Sequence, residues 1–168
     1  MRKPIIGVMG SGDKAREVDI KTAFELGSLI AQQNWVLLSG GRNNGVMDAV
    51  NKGANSSGGL TIGVMPTKDN DLISEAVDVA IITDMGSARN NINVLSSDVV
   101  VACGMGGAGT ASEIALALKS NKPVILLNNS DESRQFFRKI GGMLIHEAKS
   151  ARQTIEIAAS LVPKTARE

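Results

Sequence analysis

The stretch Gly104-Met105-Gly106-Gly107-Ala108-Gly109-Thr110-Ala111-Ser112-Glu113 sets four glycines directly ahead of a helical pattern. Without side chains in the way, the N–H groups of Gly107, Ala108, Gly109 and Thr110 can converge on one anion at a helix N-terminus, where the dipole favours negative charge. Two further loops invite similar chemistry. Gly10-Ser11-Gly12-Asp13-Lys14-Ala15 has the permissive G-x-G-x-x-A form of a dinucleotide turn. A dinucleotide site also wants an acid at the end of the second strand to hold the ribose hydroxyls, and Ser39-Gly40-Gly41 stands there instead. A nicotinamide dehydrogenase is therefore disfavoured, and a tight turn that lets helix approach strand stays open beside phosphate binding. Ser39-Gly40-Gly41-Arg42-Asn43-Asn44-Gly45-Val46-Met47 packs Gly40, Gly41 and Gly45 into one connection, more than a short turn requires. Its backbone can approach a ligand, with the Ser39 hydroxyl as a further donor or acceptor.

Two charged residues accompany these loops. Arg89 stands in the first turn of a helix, where a cation opposes the dipole by about a few tenths of a kcal/mol. That misplacement points to an anionic partner, against the alternative of a solvated surface arginine. Asn90, Asn91 and Asn93 beside it can donate to a ligand or face water. Glu113 can serve as a carboxylate toward a developing positive charge. It can equally close the capping box Thr110-x-x-Glu113 onto its own helix terminus. Cys103 at a strand end reads as a small core residue, and His146 as a strand-end residue without a local partner.

The elements that would carry these loops alternate. Apolar runs at Ile5–Met9, Trp35–Leu38, Leu60–Val64, Val79–Ile82, Asp98–Cys103 and Pro123–Leu127 read as strands. Helical patterns over about 17–33, 46–56, 87–95, 110–119 and 133–140 intervene, and a last strand at Met143–His146 precedes a helix over about 151–162. The near-continuous apolar character of the strands predicts helices on both faces. The expected fold is α/β, a Rossmann-like, doubly wound, mostly parallel sheet in one domain spanning residues 1–162, with 163–168 as a tail.

Composition narrows the function. Eighteen Lys and Arg against seventeen Asp and Glu leave no field to hold a polyanion, and the aromatic fraction is only 2%, too few for base-stacking platforms. The partner expected is a phosphate-bearing small molecule, not nucleic acid or membrane. The single cysteine excludes an internal disulfide and a multi-cysteine metal site, and the N-terminus reads as a strand and not a leader, which places the chain in the cytoplasm.

Ser39-Gly40-Gly41 with Gly45-Val46-Met47, Arg89, and Gly106-Gly107-Ala108-Gly109-Thr110 with Glu113 together resemble the lysine-decarboxylase-like, or lonely-guy, superfamily from about Pro4 to Leu127. Ser87-Ala88-Arg89-Asn90 and the run from Gly106 to Lys119 look most like its molybdenum-cofactor carrier branch. The lonely-guy enzymes hydrolyse the N-glycosidic bond of cytokinin riboside monophosphates, with signatures P-G-G-x-G-T-x-x-E and an R-K pair. Met105 stands at the proline position and Asn90 at the lysine position, while Arg89 and Glu113 match the family's catalytic pair. The resemblance thus implies either a carrier of molybdenum cofactor, a pterin with a terminal phosphate, or a nucleoside 5'-monophosphate phosphoribohydrolase using Arg89 and Glu113. A third, weaker likeness of the Ser39-Gly40-Gly41 loop is to DNA-processing proteins. No cofactor is required for turnover under these readings; molybdenum cofactor or a nucleoside monophosphate would be the bound ligand. The resemblance also implies a homodimer or homotetramer, in keeping with apolar Ile92, Val94 and Leu95 spread around one helix.

Overall fold

The computed structural model describes residues 2–163. Seven strands, β1 (Ile5–Gly10), β2 (Val36–Ser39), β3 (Thr61–Met65), β4 (Val79–Ile82), β5 (Val99–Cys103), β6 (Val124–Leu127) and β7 (Ile145–Ala148), form one sheet. Between them run α1 (Glu17–Gln32), α2 (Gly45–Ser56), α3 (Arg89–Ser96), α4 (Ala108–Lys119), α5 (Asp131–Gly141) and finally α6 (Ala151–Leu161). The strand order is β4-β3-β2-β1-β5-β6-β7, and every pairing is parallel. The fold is the doubly wound, Rossmann-like α/β expected from the sequence. The chain winds outward from β1 to β4 and then returns to the other side of β1 as β5. The switch point, where a crevice opens beyond the strand ends, therefore lies at β1 and its two neighbours.

Side-chain alternation divides the core between the two faces. Ile6, Val8, Leu37, Val101, Ile125 and Leu127 pack under α1, α2 and α6, together with Leu26 and Ile30. Met9, Leu38, Val100, Ala102, Val124 and Leu126 point the other way, against Val94 of α3, Ile114 and Ala117 of α4 and Phe137 of α5. Each fully buried leucine or isoleucine contributes roughly 1.5–3 kcal/mol of transfer free energy, so both layers are strongly held.

Three expectations need correction. The last strand begins at Ile145, not Met143, because Gly142–Leu144 close a tight helical turn with Gly142 at φ 50°. β4 is not covered on both faces. It is the sheet edge, and Val79, Ile81 and Ile82 are 44–47% exposed despite their apolar character. The fourth helix starts at Ala108, two residues before Thr110, and its cap is Gly107, with no side-chain capping bond. The Thr110–Glu113 capping box is therefore not formed. Ser130 and Ser150 do cap, accepting from the N–H groups of Ser133 and Gln153 to start α5 and α6. Residues 164–168 of the expected tail lie outside the described residues. Among the described residues no helix is long and apolar enough to cross a membrane.

Candidate functional site

Beyond the carboxyl ends of β1 to β5 lies a cleft of about 610 Å³, with walls supplied by the loop after each of those five strands. Gly10, Ser11 and Gly12 come from the first loop, Gly40 from the second, and Gly106, Gly107, Ala108, Gly109 and Thr110 from the fifth. Arg89, Asn90 and Glu113 line it as well.

The start of α4 presents unpaired backbone donors. An α-helix leaves its first N–H groups without an intrahelical acceptor, and here the first backbone bond of the helix is Ala111 N–H to the Gly107 carbonyl at 3.1 Å. The N–H groups of Ala108, Gly109 and Thr110 are left over, with no side-chain cap over them. Gly107 sits at φ 144°, a conformation open to glycine and strained for other residues. Nothing lies within 4 Å of the place where a side chain at Gly107 or Gly109 would begin, so the approach to these donors is clear.

The other glycines lock the loops to one another. A Cβ at Gly106 would stand 2.1 Å from the Cβ of Ser11, so the fifth loop rests directly on the first. A Cβ at Gly45 would stand 2.2 Å from the Gly12 carbonyl oxygen, and Val46 N–H donates to the Ser11 carbonyl at 2.9 Å. Ser39, Gly41 and Gly45 do not line the cleft. The Ser39 hydroxyl, fully buried, donates to Asn51 Oδ1 at 3.0 Å and accepts from the Gly41 N–H at 3.0 Å. Gly41 instead lies against Gly63 of β3. These three residues hold the second loop in shape rather than present groups to a ligand.

Charged side chains reach the cleft from α3, α4 and the second loop. Arg89 is only 8% exposed, and its guanidinium passes over Gly40, where a Cβ would come within 2.8 Å of Nη2. Its Nη1 donates to Asn90 Oδ1 at 3.2 Å and lies 3.5 Å from Glu113 Oε1. Glu113 is buried too, and accepts from Asn93 Nδ2 at 3.0 Å. Burial pushes the Glu113 carboxyl above its ordinary range, partly offset by Asn93 and Arg89. Burial likewise lowers Arg89, with Glu113 opposing and the positive charge of Arg42 reinforcing that shift. The Nε atoms of both Arg42 and Arg89 are buried without a hydrogen-bond partner. Asn90 Nδ2 reaches Ser112 Oγ at 3.0 Å, which ties the start of α3 to the start of α4. Cys103, fully buried at the end of β5, has its thiol pushed up to about 12 by burial, so it is a packing residue and not a thiolate.

The structure adds lining residues that sequence reasoning did not single out: Arg42, Lys14, Pro66, Thr67, Gly86 and Ser87 among them. Of these, only Arg42 carried a signal, a cation inside a glycine-dense loop. Its backbone is fixed by a short antiparallel bridge to Ile73, flanked by Asn43 N–H to Leu72 O at 2.9 Å and Ser74 N–H to Gly41 O at 2.9 Å. That pairing joins residues about thirty apart, which no local pattern announces. Chemically, the cleft offers neutral N–H donors at the start of α4, two guanidinium groups and one buried carboxyl.

Known proteins share this fold. A solved structure described as the molybdenum cofactor binding protein of Rippkaea orientalis is 55% identical, with a TM-score of 0.92 over 95% of this chain and 98% of that one. The molybdenum cofactor carrier protein of Chlamydomonas reinhardtii is 50% identical, with a TM-score of 0.91 over 95% and 98% of the two chains. A more distant relative, the cytokinin riboside 5'-monophosphate phosphoribohydrolase of Mycobacterium tuberculosis, is 31% identical over 117 residues, 65% of this chain and 62% of that protein. The model of the SLOG cluster4 family matches residues 3–160, and the chain belongs to that family.

Proposed function

We propose that the cleft binds a phosphate-bearing small molecule and that the chain is a molybdenum-cofactor carrier-like binding protein. The observation that carries this reading is the α4 terminus, where the N–H groups of Ala108, Gly109 and Thr110 face open space in a cleft of about 610 Å³. A terminal phosphate there would accept several hydrogen bonds at the positive end of the helix dipole. Identity of 50% and above to proteins described as binding or carrying molybdenum cofactor, over nearly the whole of both chains, supports the pterin as cargo. Mass spectrometry of small molecules released from the purified protein, with metal analysis on the same sample, tests this. A phosphorylated pterin, with or without molybdenum, supports it, and a nucleotide in its place overturns it.

One observation favours a second reading. Glu113 and Arg89 form a buried ionisable pair on the cleft wall, and such a pair suits N-glycosidic hydrolysis of a nucleoside 5'-monophosphate. A carboxylate would then stabilise the oxocarbenium-like sugar while the phosphate anchors it at α4. Release of free base from nucleoside monophosphates separates the two, since a carrier shows no turnover.

In either case the apolar edge residues Val79, Ile81 and Ile82, with exposed Leu95 on α3, suit a homo-oligomer of closed two-fold symmetry in the cytoplasm. Light scattering giving the mass of a single chain, 17.6 kDa, at micromolar concentration would contradict it.

A further inference from the structure

A phosphate at α4 occupies only part of the cleft. Arg42 and Arg89 line the same cleft, and the charge of Arg42 bears on Arg89. Glu113 is the only acid paired with either guanidinium among the described residues. One carboxylate cannot balance two cations. Both Nε–H groups are buried and donate to nothing, although Arg89 is 92% buried, 8% of its surface remaining exposed. Buried donors are nearly always satisfied in folded proteins, so two guanidinium groups that line one cleft, each with a donor the fold leaves unpaired, point to an acceptor from outside the chain, bound through their terminal nitrogens. The bridge to Ile73 fixes the backbone from which the Arg42 side chain reaches the cleft.

We propose that the two arginines form a second anion subsite, so that the ligand carries two anionic groups, a phosphate on the N–H groups of Ala108, Gly109 and Thr110 and an oxyanion or carboxylate on Arg42 and Arg89. The proposal rests on the phosphate reading given above. Guanidinium forks bind planar or tetrahedral oxyanions through paired, charge-assisted hydrogen bonds, and the pairing is stronger where water is excluded. The sheet sets the spacing. Arg42 follows β2 and the α4 seat follows β5, with β1 between them, so two strand intervals separate the subsites by about 10 Å. The helix gives a similar figure, since Glu113, beside Arg89, lies five residues along α4 from Ala108, an axial rise of about 7.5 Å.

The test compares hexamethylene bisphosphonate, which reaches about that span, with hexylphosphonate, which has the same chain and one anionic end. Affinities are measured by calorimetry on wild type, Arg42→Gln and Arg42→Lys, with thermal melts to establish folding. In wild type the bisphosphonate binds at least tenfold tighter. Arg42→Gln loses at least tenfold more affinity for the bisphosphonate than for hexylphosphonate, and Arg42→Lys, which keeps the charge, loses less than Gln. Equal affinities in wild type, with hexylphosphonate displaced by inorganic phosphate, overturn the second subsite and leave the phosphate seat standing. A bisphosphonate advantage that survives Arg42→Gln overturns the assignment to Arg42. Failure of either compound to bind in competition with phosphate overturns the phosphate seat, and the second subsite with it.

Discussion

Ala108→Pro removes one hydrogen-bond donor from the anion seat while leaving the helix intact. Ala108 is the first residue of α4, and its N–H has no intrahelical acceptor, so the fold loses no hydrogen bond when proline takes its place. Proline is favoured at that position because its fixed φ matches the helix. The residue before it, Gly107, is already extended, with ψ −162°, so the pre-proline restriction is met. Three donors converge on the proposed phosphate, and a hydrogen bond to a charged group is worth about 1.5–3 kcal/mol. Removing one should therefore weaken phosphate-ester binding about ten- to 150-fold. The proline ring also occupies the space vacated by the N–H, which pushes the loss toward the upper figure. Calorimetry with adenosine monophosphate or inorganic phosphate measures the loss, and a thermal melt should show a midpoint within about 2 °C of wild type. Ala108→Ser, which keeps the N–H, is the control. A proline variant with normal stability and undiminished affinity would show that the α4 terminus does not hold the phosphate.

Glu113→Gln retains an oxygen to accept from Asn93 but cannot carry charge, so a hydrolase should lose about a hundredfold or more in base release, measured on a panel of nucleoside monophosphates. The same variant tests the titration of Glu113. A carboxyl raised in the folded state holds its proton more tightly there than when unfolded, so wild-type stability should fall as pH rises above the ordinary value of 4.5. Glu113→Gln should lose that component in urea melts taken across the same pH range; an identical pH profile in both proteins would refute the burial argument. Ser39→Ala leaves a buried Asn51 oxygen and the Gly41 N–H without their partner, at about 1–3 kcal/mol of stability by urea denaturation. Gly45→Ala forces a methyl against the Gly12 carbonyl at a positive φ of 57°, so it should destabilise by more than 1 kcal/mol, roughly the left-handed backbone penalty alone. Cys103 should resist alkylation in the native protein at pH 8 and react only on unfolding, because its thiol titrates at about 12 and is fully buried.

Local pattern carried most of the fold. Continuous apolar runs separated by amphipathic segments are the imprint of a parallel sheet covered by helices, and β1, β2, β3, β5 and β6 fall close to where that pattern puts them. β4 also lies at Val79–Ile82, as the pattern has it, but the apolar run did not announce a sheet edge with Val79, Ile81 and Ile82 exposed. The pattern misled at Met143, where a left-handed Gly142 turns the chain before the last strand begins. The free N–H groups after Gly106–Gly107 were legible because a helix start leaves them unpaired by backbone geometry alone. What Glu113 does was not legible. A motif of Thr and Glu three residues apart permits a cap, and only the start of α4 at Ala108 and the approach of Asn93 and Arg89 show that the carboxyl turns to α3 instead.

By itself the sequence determined the alternation of strands and helices, the near balance of charge and the three glycine-dense loops, since each depends on neighbouring residues or on composition. Tertiary structure decided which loop glycines line the cleft and which only let loops touch, that Ser39 is internal, and that Arg42 and Arg89 line the same cleft. Those outcomes rest on contacts between segments far apart in the chain, such as Arg42 with Ile73 and Asn93 with Glu113. Periodicity and propensity describe a residue's own neighbourhood, whereas the charge and hydrogen-bond state of a buried group is set by whatever the folded chain brings against it.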